Sequence, residues 1–192
     1  MTLDWLIWYY ARALELPFPV LRTLLTHGLP IQQVKIDNHI ELCVFGQRHC
    51  PYGPAVEHAN GSKYWYRNNH LHRDGGPAIE LADGSKSWWR KDQRHRDDGP
   101  AIEWADGSKS WWRNDQLHRD NGPAVEGADG CREWYRNGQR HRDDGPAVEY
   151  ADGTKWWYRN DQRHRDDGPA VERTEGPSEY WRNDTKYWPE QK

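Results

Sequence analysis

The stretch His141–Arg163 reads HRDDGPAVEYADGTKWWYRNDQR, and at His164 the same phrase begins again, 23 residues on. Earlier copies start at His118, His95 and His72, with a degraded one at His49. Arginine recurs at 67, 90, 113, 136, 159 and 182, Gly-Pro from 53 to 168, and glutamate at 57, 80, 103, 126, 149 and 172. Tryptophan stands at 65, 88, 111, 134 and 157, with Tyr180 in the sixth place. A fixed period of this size is the signature of a stacked repeat, in which each unit buries its apolar groups mainly against its neighbours.

Working outward, each repeat carries two turn signals. Asp-Gly at 83–84, 106–107, 129–130 and 152–153, with Asn60-Gly61, is a strong hairpin dipeptide, and Asn137-Gly138 is another. Asn-Asp takes the second place at 114–115, 160–161 and 183–184. The expected fold is mainly β: an elongated antiparallel meander with two strands per repeat, one aromatic and one running from the His through Gly-Pro-Ala to the Glu. Asp-Gly-Pro must interrupt pairing in that second strand, since Pro donates no ladder bond and Gly marks a bulge. Residues 34–46 fit the repeat in register, so the array is expected over 34–188 in about six units of 23 residues, followed by a tail at 189–192. Residues 1–33 are expected to form an α-helical N-terminal cap. Thr2 is the N-cap of a helix over 2–16, Pro17 and Pro19 stop it, and a second short helix lies within 20–28.

Composition narrows the function classes. Aliphatic residues are sparse, but 13 Trp and 10 Tyr supply an aromatic core that a disordered chain lacks. A net charge of −3 with interleaved signs argues against a strong electrostatic footprint on nucleic acid. Three cysteines at 43, 50 and 131 have no paired spacing, which points to free thiols in a reducing, cytoplasmic compartment. No segment is long enough to span a bilayer, and the apolar opening lacks the basic flank of a secretory signal.

The phrase Trp134–Arg142, WYRNGQRHR, resembles the MORN repeat in period, in the spacing from Trp through turn to His, and in turn chemistry. It departs from that pattern at Arg142-Asp143-Asp144-Gly145-Pro146 and in the run Trp156-Trp157-Tyr158. Repeats of the His-Arg-Asp-x-Gly-Pro-Ala type are similar to those of uncharacterised phage and large-virus proteins. The resemblance implies a β-sheet scaffold for protein binding, or in some members membrane association. It carries over no catalytic residue.

Catalytic and metal-binding arrangements are not expected. Equivalent histidines stand about 9.5 Å apart across two strands, too far to share an ion with ligand bonds of about 2.0–2.2 Å. The recurring His is therefore expected to bond the backbone or a Glu, with the Asp residues shaping the bend. No repeat departs from the rest in a way that suggests acid–base chemistry, so neither enzyme activity nor a cofactor is expected.

Function is expected in the columns that vary between copies. These are His58, Leu81, Trp104, Gly127, Tyr150 and Arg173; then Tyr64, Ser87, Ser110, Glu133, Trp156 and Glu179; then Leu71, Arg94, Leu117, Arg140 and Arg163. The candidate partner-binding residues are Trp104, Tyr150 and Trp156 as apolar anchors, with Arg94, Arg140 and Arg163 as planar donors. The leading expectation is a non-enzymatic binder of a protein partner, such as a viral inhibitor of a host factor. The alternatives are a nucleotide or single-stranded nucleic-acid binder using the Trp and Arg rungs, and a membrane-associated scaffold.

Overall fold

The computed structural model describes residues 31–36, 39–44, 46–50 and 53–188. The expected helices over 2–16 and 20–28 and the tail at 189–192 lie outside these residues. Every element described is a β-strand. No described helix is long and apolar enough to cross a membrane. Strand pairing begins at Ile31 rather than at 34: Ile31–Ile36 runs antiparallel to His39–Val44 with six registered pairs, from Ile31↔Val44 to Ile36↔His39. Residues 31–33, expected in the cap, are therefore strand.

Two compact units are present, Met1–Ala82 with Trp89–Asp92 and Asp83–Trp88 with Gln93–Lys192. In the first, the opening hairpin continues through Val56–His58, Lys63–Tyr64 and Ile79–Glu80, and Tyr66–Arg67 pairs with His70–Leu71 as a separate hairpin. In the second, a meander of two-residue strands runs Lys86–Ser87, Ile102–Glu103, Lys109–Ser110, Val125–Glu126, Arg132–Glu133, Val148–Glu149, Lys155–Trp156 and Val171–Glu172. Beside it stand the hairpins Trp112–Arg113 with Gln116–Leu117, Tyr135–Arg136 with Gln139–Arg140, Tyr158–Arg159 with Gln162–Arg163, and Tyr180–Arg182 with Thr185–Tyr187.

Each repeat thus has four short strands where two longer ones were expected. The break falls at the recurring Trp. Trp111 donates its N–H to Ala124 O in the meander and accepts from His118 N in its own hairpin, so this residue splits its backbone bonds between two sheets. Trp134 and Trp157 repeat the arrangement with Ala147 and His141, and with Ala170 and His164. The hairpin turns place both central residues at positive φ, 51° and 61° at Asn114 and Asp115, the type I′ geometry that Asn, Asp and Gly tolerate.

The centre of the fold is alanine. Ala55 and Ala78 in the first unit, and Ala101, Ala124, Ala147 and Ala170 in the second, are 0–1% exposed. The recurring tryptophans lie beside this rung, and among the described residues only Trp65 is buried. Over each Trp ring stacks the Arg that follows the His: Arg96 on Trp88, Arg119 on Trp111, Arg142 on Trp134 and Arg165 on Trp157, at 3.7–4.1 Å. That Arg also donates to its own Pro carbonyl and to the Glu of the strand, as Arg119 Nη1 does to Pro123 O (3.0 Å) and Glu126 Oε1 (2.7 Å). The Arg two places after the Trp turns to the His and Asp: Arg113 reaches His118 Nε2 at 3.0 Å and Asp120 at 2.9 Å, and Arg136 reaches His141 Nε2 and Asp143, each at 3.1 Å.

Candidate functional site

The recurring histidines have structural partners. His95 Nδ1 bonds Asn114 Oδ1 of the next repeat at 2.8 Å, and its Nε2 lies 2.8 Å from Asp97 Oδ1. His141 and His164 repeat this with Asn160 and Asn183, and with Asp143 and Asp166. The backbone contact expected of the His is present, Asn114 N–H meeting His95 Nδ1 at 3.3 Å and Asn137 N–H meeting His118 Nδ1 at 3.1 Å, but the side-chain partners are Asn and Asp rather than Glu, because the type I′ turn of the following repeat brings an Asn to Nδ1. Among the described residues no group of three or more His, Cys, Asp or Glu side chains is placed to hold a metal.

The variable columns converge on one aromatic face of the second unit. An aromatic column that sequence reasoning passed over, Trp112, Tyr135, Tyr158 and Trp181, forms its spine. The residue two places earlier, across the break at the recurring Trp in the first two cases, serves as acceptor: Ser110 Oγ takes the Trp112 Nε1–H at 2.6 Å, Glu133 the Tyr135 hydroxyl at 2.8 Å, and Glu179 the Trp181 Nε1–H at 2.9 Å. The i, i+2 spacing of an acceptor and an aromatic was the available signal. Ser110, a member of the second variable column, is 1% exposed. The aromatic spine lies over it.

The predicted arginines join the same face. Arg94 lies over Trp112 at 3.6 Å, with Nε on Asp115 Oδ1 at 2.7 Å. Arg163 lies over Trp181 at 3.5 Å, with Nε on Asp184 Oδ1 at 2.9 Å. Arg140 differs. It sits 5.5 Å from Tyr135 and 5.7 Å from Tyr158, and its Nε donates to Glu133 at 3.1 Å. Each guanidinium is thus tied to a carboxylate on this face.

Trp156 takes an acceptor position with a donor side chain. Its ring lies 6.2 Å from Tyr158 and 6.0 Å from Tyr150, stacked on the first and edge-on to the second. Its buried Nε1 has no hydrogen-bond partner. Trp156 pairs in the sheet with Val148 and Val171, which are 2% and 1% exposed, whereas Val125, between Ser110 and Glu133, is only half-buried. Trp156 is therefore in part a cover for the valine rung. Trp104 and Tyr150 are the outward members, 41% and 42% exposed. Burial first, then the nearby Glu133, pushes the Tyr150 hydroxyl and the Cys131 thiol above their ordinary values.

Of the six predicted residues, the structure gathers Arg140, Tyr150 and Trp156 into one cluster with Glu133, Tyr135 and Tyr158. Trp104, Arg94 and Arg163 stand apart from it in neighbouring repeats. A scan against protein-family models and a comparison with the curated proteins both return no match for this chain.

Proposed function

We propose that this chain is a non-enzymatic binding protein, a MORN-like repeat scaffold that presents the aromatic face of its second unit to a protein partner. The observation that supports this reading is the placement of large exposed apolar side chains. Trp104 and Tyr150 stand outward at equivalent turn positions, where the backbone asks for no aromatic: Gly127 fills the same place between them. Exposed aromatics on a rigid sheet are the usual anchors of protein interfaces. The similarity to phage and large-virus repeats makes a host factor the partner of choice, and residues 1–30 would serve as the cap. A nucleic-acid reading has less support, because Arg94, Arg140 and Arg163 are each paired with Asp or Glu.

The test is affinity purification from the native host with mass spectrometry, then calorimetry with the purified partner. Tyr150→Ala and Trp104→Ala are expected to weaken binding by about tenfold or more, about 1–2 kcal/mol, with unchanged circular dichroism. Unchanged affinity in both would move the binding surface off this face.

A further inference from the structure

The turns along one edge of the second unit open with four different residues in chain order, Trp104, Gly127, Tyr150 and Arg173. Neighbours in this row are two strands apart, about 9.5 Å. Trp104 and Tyr150 project from it, 41% and 42% exposed. Gly127 between them leaves a notch, in which Asp129 Oδ1 occupies the space a Cβ would take. Arg173 holds Pro177 O (2.8 Å) and Glu179 (2.9 Å), with its side chain 33% exposed. The edge carries charges of both signs. Asp106, Asp129 and Asp152, and three residues after each of them Lys109, Arg132 and Lys155, make no ion pair among the described residues. An edge that is neutral as a whole but holds unpaired groups of both signs favours neither a basic nor an acidic segment. It is complementary to a second copy of itself.

The row is self-complementary in shape as well. A two-fold axis between Gly127 and Tyr150 reverses its order, so Tyr150 of each copy meets Gly127 of the other and Trp104 meets Arg173. We propose that this edge pairs with the same edge of a second copy, in an antiparallel dimer with Tyr150 seated in the notch at Gly127. The Tyr150 hydroxyl has no hydrogen-bond partner among the described residues. In the dimer it would donate to the Asp129 carboxylate of the other copy, which accepts Cys131 N (2.9 Å) and has lone pairs to spare. Arg173 would lie over the Trp104 ring while keeping its present bonds, as Arg119 does over Trp111. With a large side chain in place of Gly127, Tyr150 would hold the two edges apart. Four turns span about 28 Å. A contact of that length and one hairpin end wide falls below the area of about 1,200 Å² of a stable interface, so the dimer is weak, with a dissociation constant of about 10–100 μM. The proposal rests on the protein-binding reading above and names a second copy as the partner of these turns.

The experiment is sedimentation velocity on the full chain from about 5 to 500 μM, in which monomer is expected to give way to dimer as concentration rises. Gly127→Tyr should leave a folded monomer throughout, with circular dichroism unchanged. The turn at Trp104 carries an aromatic beside its Asp, so the backbone accepts the exchange. Tyr150→Gly should likewise leave a monomer. The double variant Gly127→Tyr, Tyr150→Gly exchanges knob and notch, and two-fold symmetry makes the edge complementary again. Its dissociation constant should return to within about threefold of the original. A monomer at every concentration, a dimer that persists in Gly127→Tyr, or a double variant that fails to recover what the single variants lose would each overturn the proposal. If the chain stays monomeric while Tyr150→Ala weakens the purified host partner, the aromatic face stands and only the second copy falls. If the chain dimerises as expected while Trp104→Ala and Tyr150→Ala leave the host partner's affinity unchanged, the dimer stands and the reading of that face as the host partner's site falls.

Discussion

At the scale of single residues, the fold rests on close contacts between small side chains and satisfied polar groups. Ala124 is fully buried, with its N–H on Glu133 O and its carbonyl on Trp111 N, so Ala124→Leu should cost about 1–3 kcal/mol through overpacking, read by urea denaturation. The His network shows what a departure costs. His72 Nδ1 is buried without a partner, because Lys91 stands where the other repeats supply Asn to the preceding His. Lys91→Asn should restore that bond and raise stability by about 0.5–1.5 kcal/mol, visible as a higher melting temperature. The same network sets the acid limit. The His hydrogen bonds first, and then neighbouring Arg groups, hold Asp120, Asp143 and Asp166 below the ordinary value of 3.8. Groups held below their unfolded value stabilise the fold above that value and cease to as pH falls through the folded one. Burial likewise depresses His49 from 6.5, so its contribution is complete above that pH and declines below it. The melting temperature should therefore fall slightly below about pH 6.5 and further below about pH 4, checked by calorimetry across pH 3–8.

The hairpin turn is the element on which inter-repeat docking depends. Asp115 Oδ1 accepts both the backbone N–H of Arg94 (3.1 Å) and its Nε (2.7 Å) from the preceding repeat, while Asp115 N donates back to Arg94 O. At Leu117 the matching turn residue is Gly138, and only the backbone half of this exchange remains. Asp115→Gly keeps the positive φ and removes the carboxylate. It should cost about 1–2 kcal/mol in urea denaturation, whereas Gly138 shows that the turn itself persists. Trp111→Ala acts on the other side of the repeat. The ring is half-buried under Arg119, so the expected loss is about 2–3 kcal/mol, below the 3–5 of a fully buried ring.

At the scale of the whole molecule, periodicity is the governing constraint. Side-chain hydrogen bonds that join one repeat to the next run at sequence separations of 19 to 21, as with His95 to Asn114 and Arg94 to Asp115. Excising residues 112–134, one full period, should therefore leave a folded array with a proportionally smaller denaturant m-value. Excising 20 residues from the same place should abolish the cooperative transition, because every partner is then shifted along the strand.

The sequence by itself determined the period, the turns, the β class and the columns in which function was sought, because dipeptides such as Asp-Gly and a 23-residue recurrence impose local geometry wherever they occur. It also singled out Trp104 and Tyr150 as aromatics the backbone does not require. The tertiary structure alone decided which Arg lies over which ring, that the central rung is alanine, and that Trp156 partly covers Val148 and Val171. Strand parity places a side chain on a face but not against a neighbour. The split of backbone bonds at each Trp between two sheets bends the chain there, and contacts across that bend depend on three-dimensional packing that no local pattern encodes.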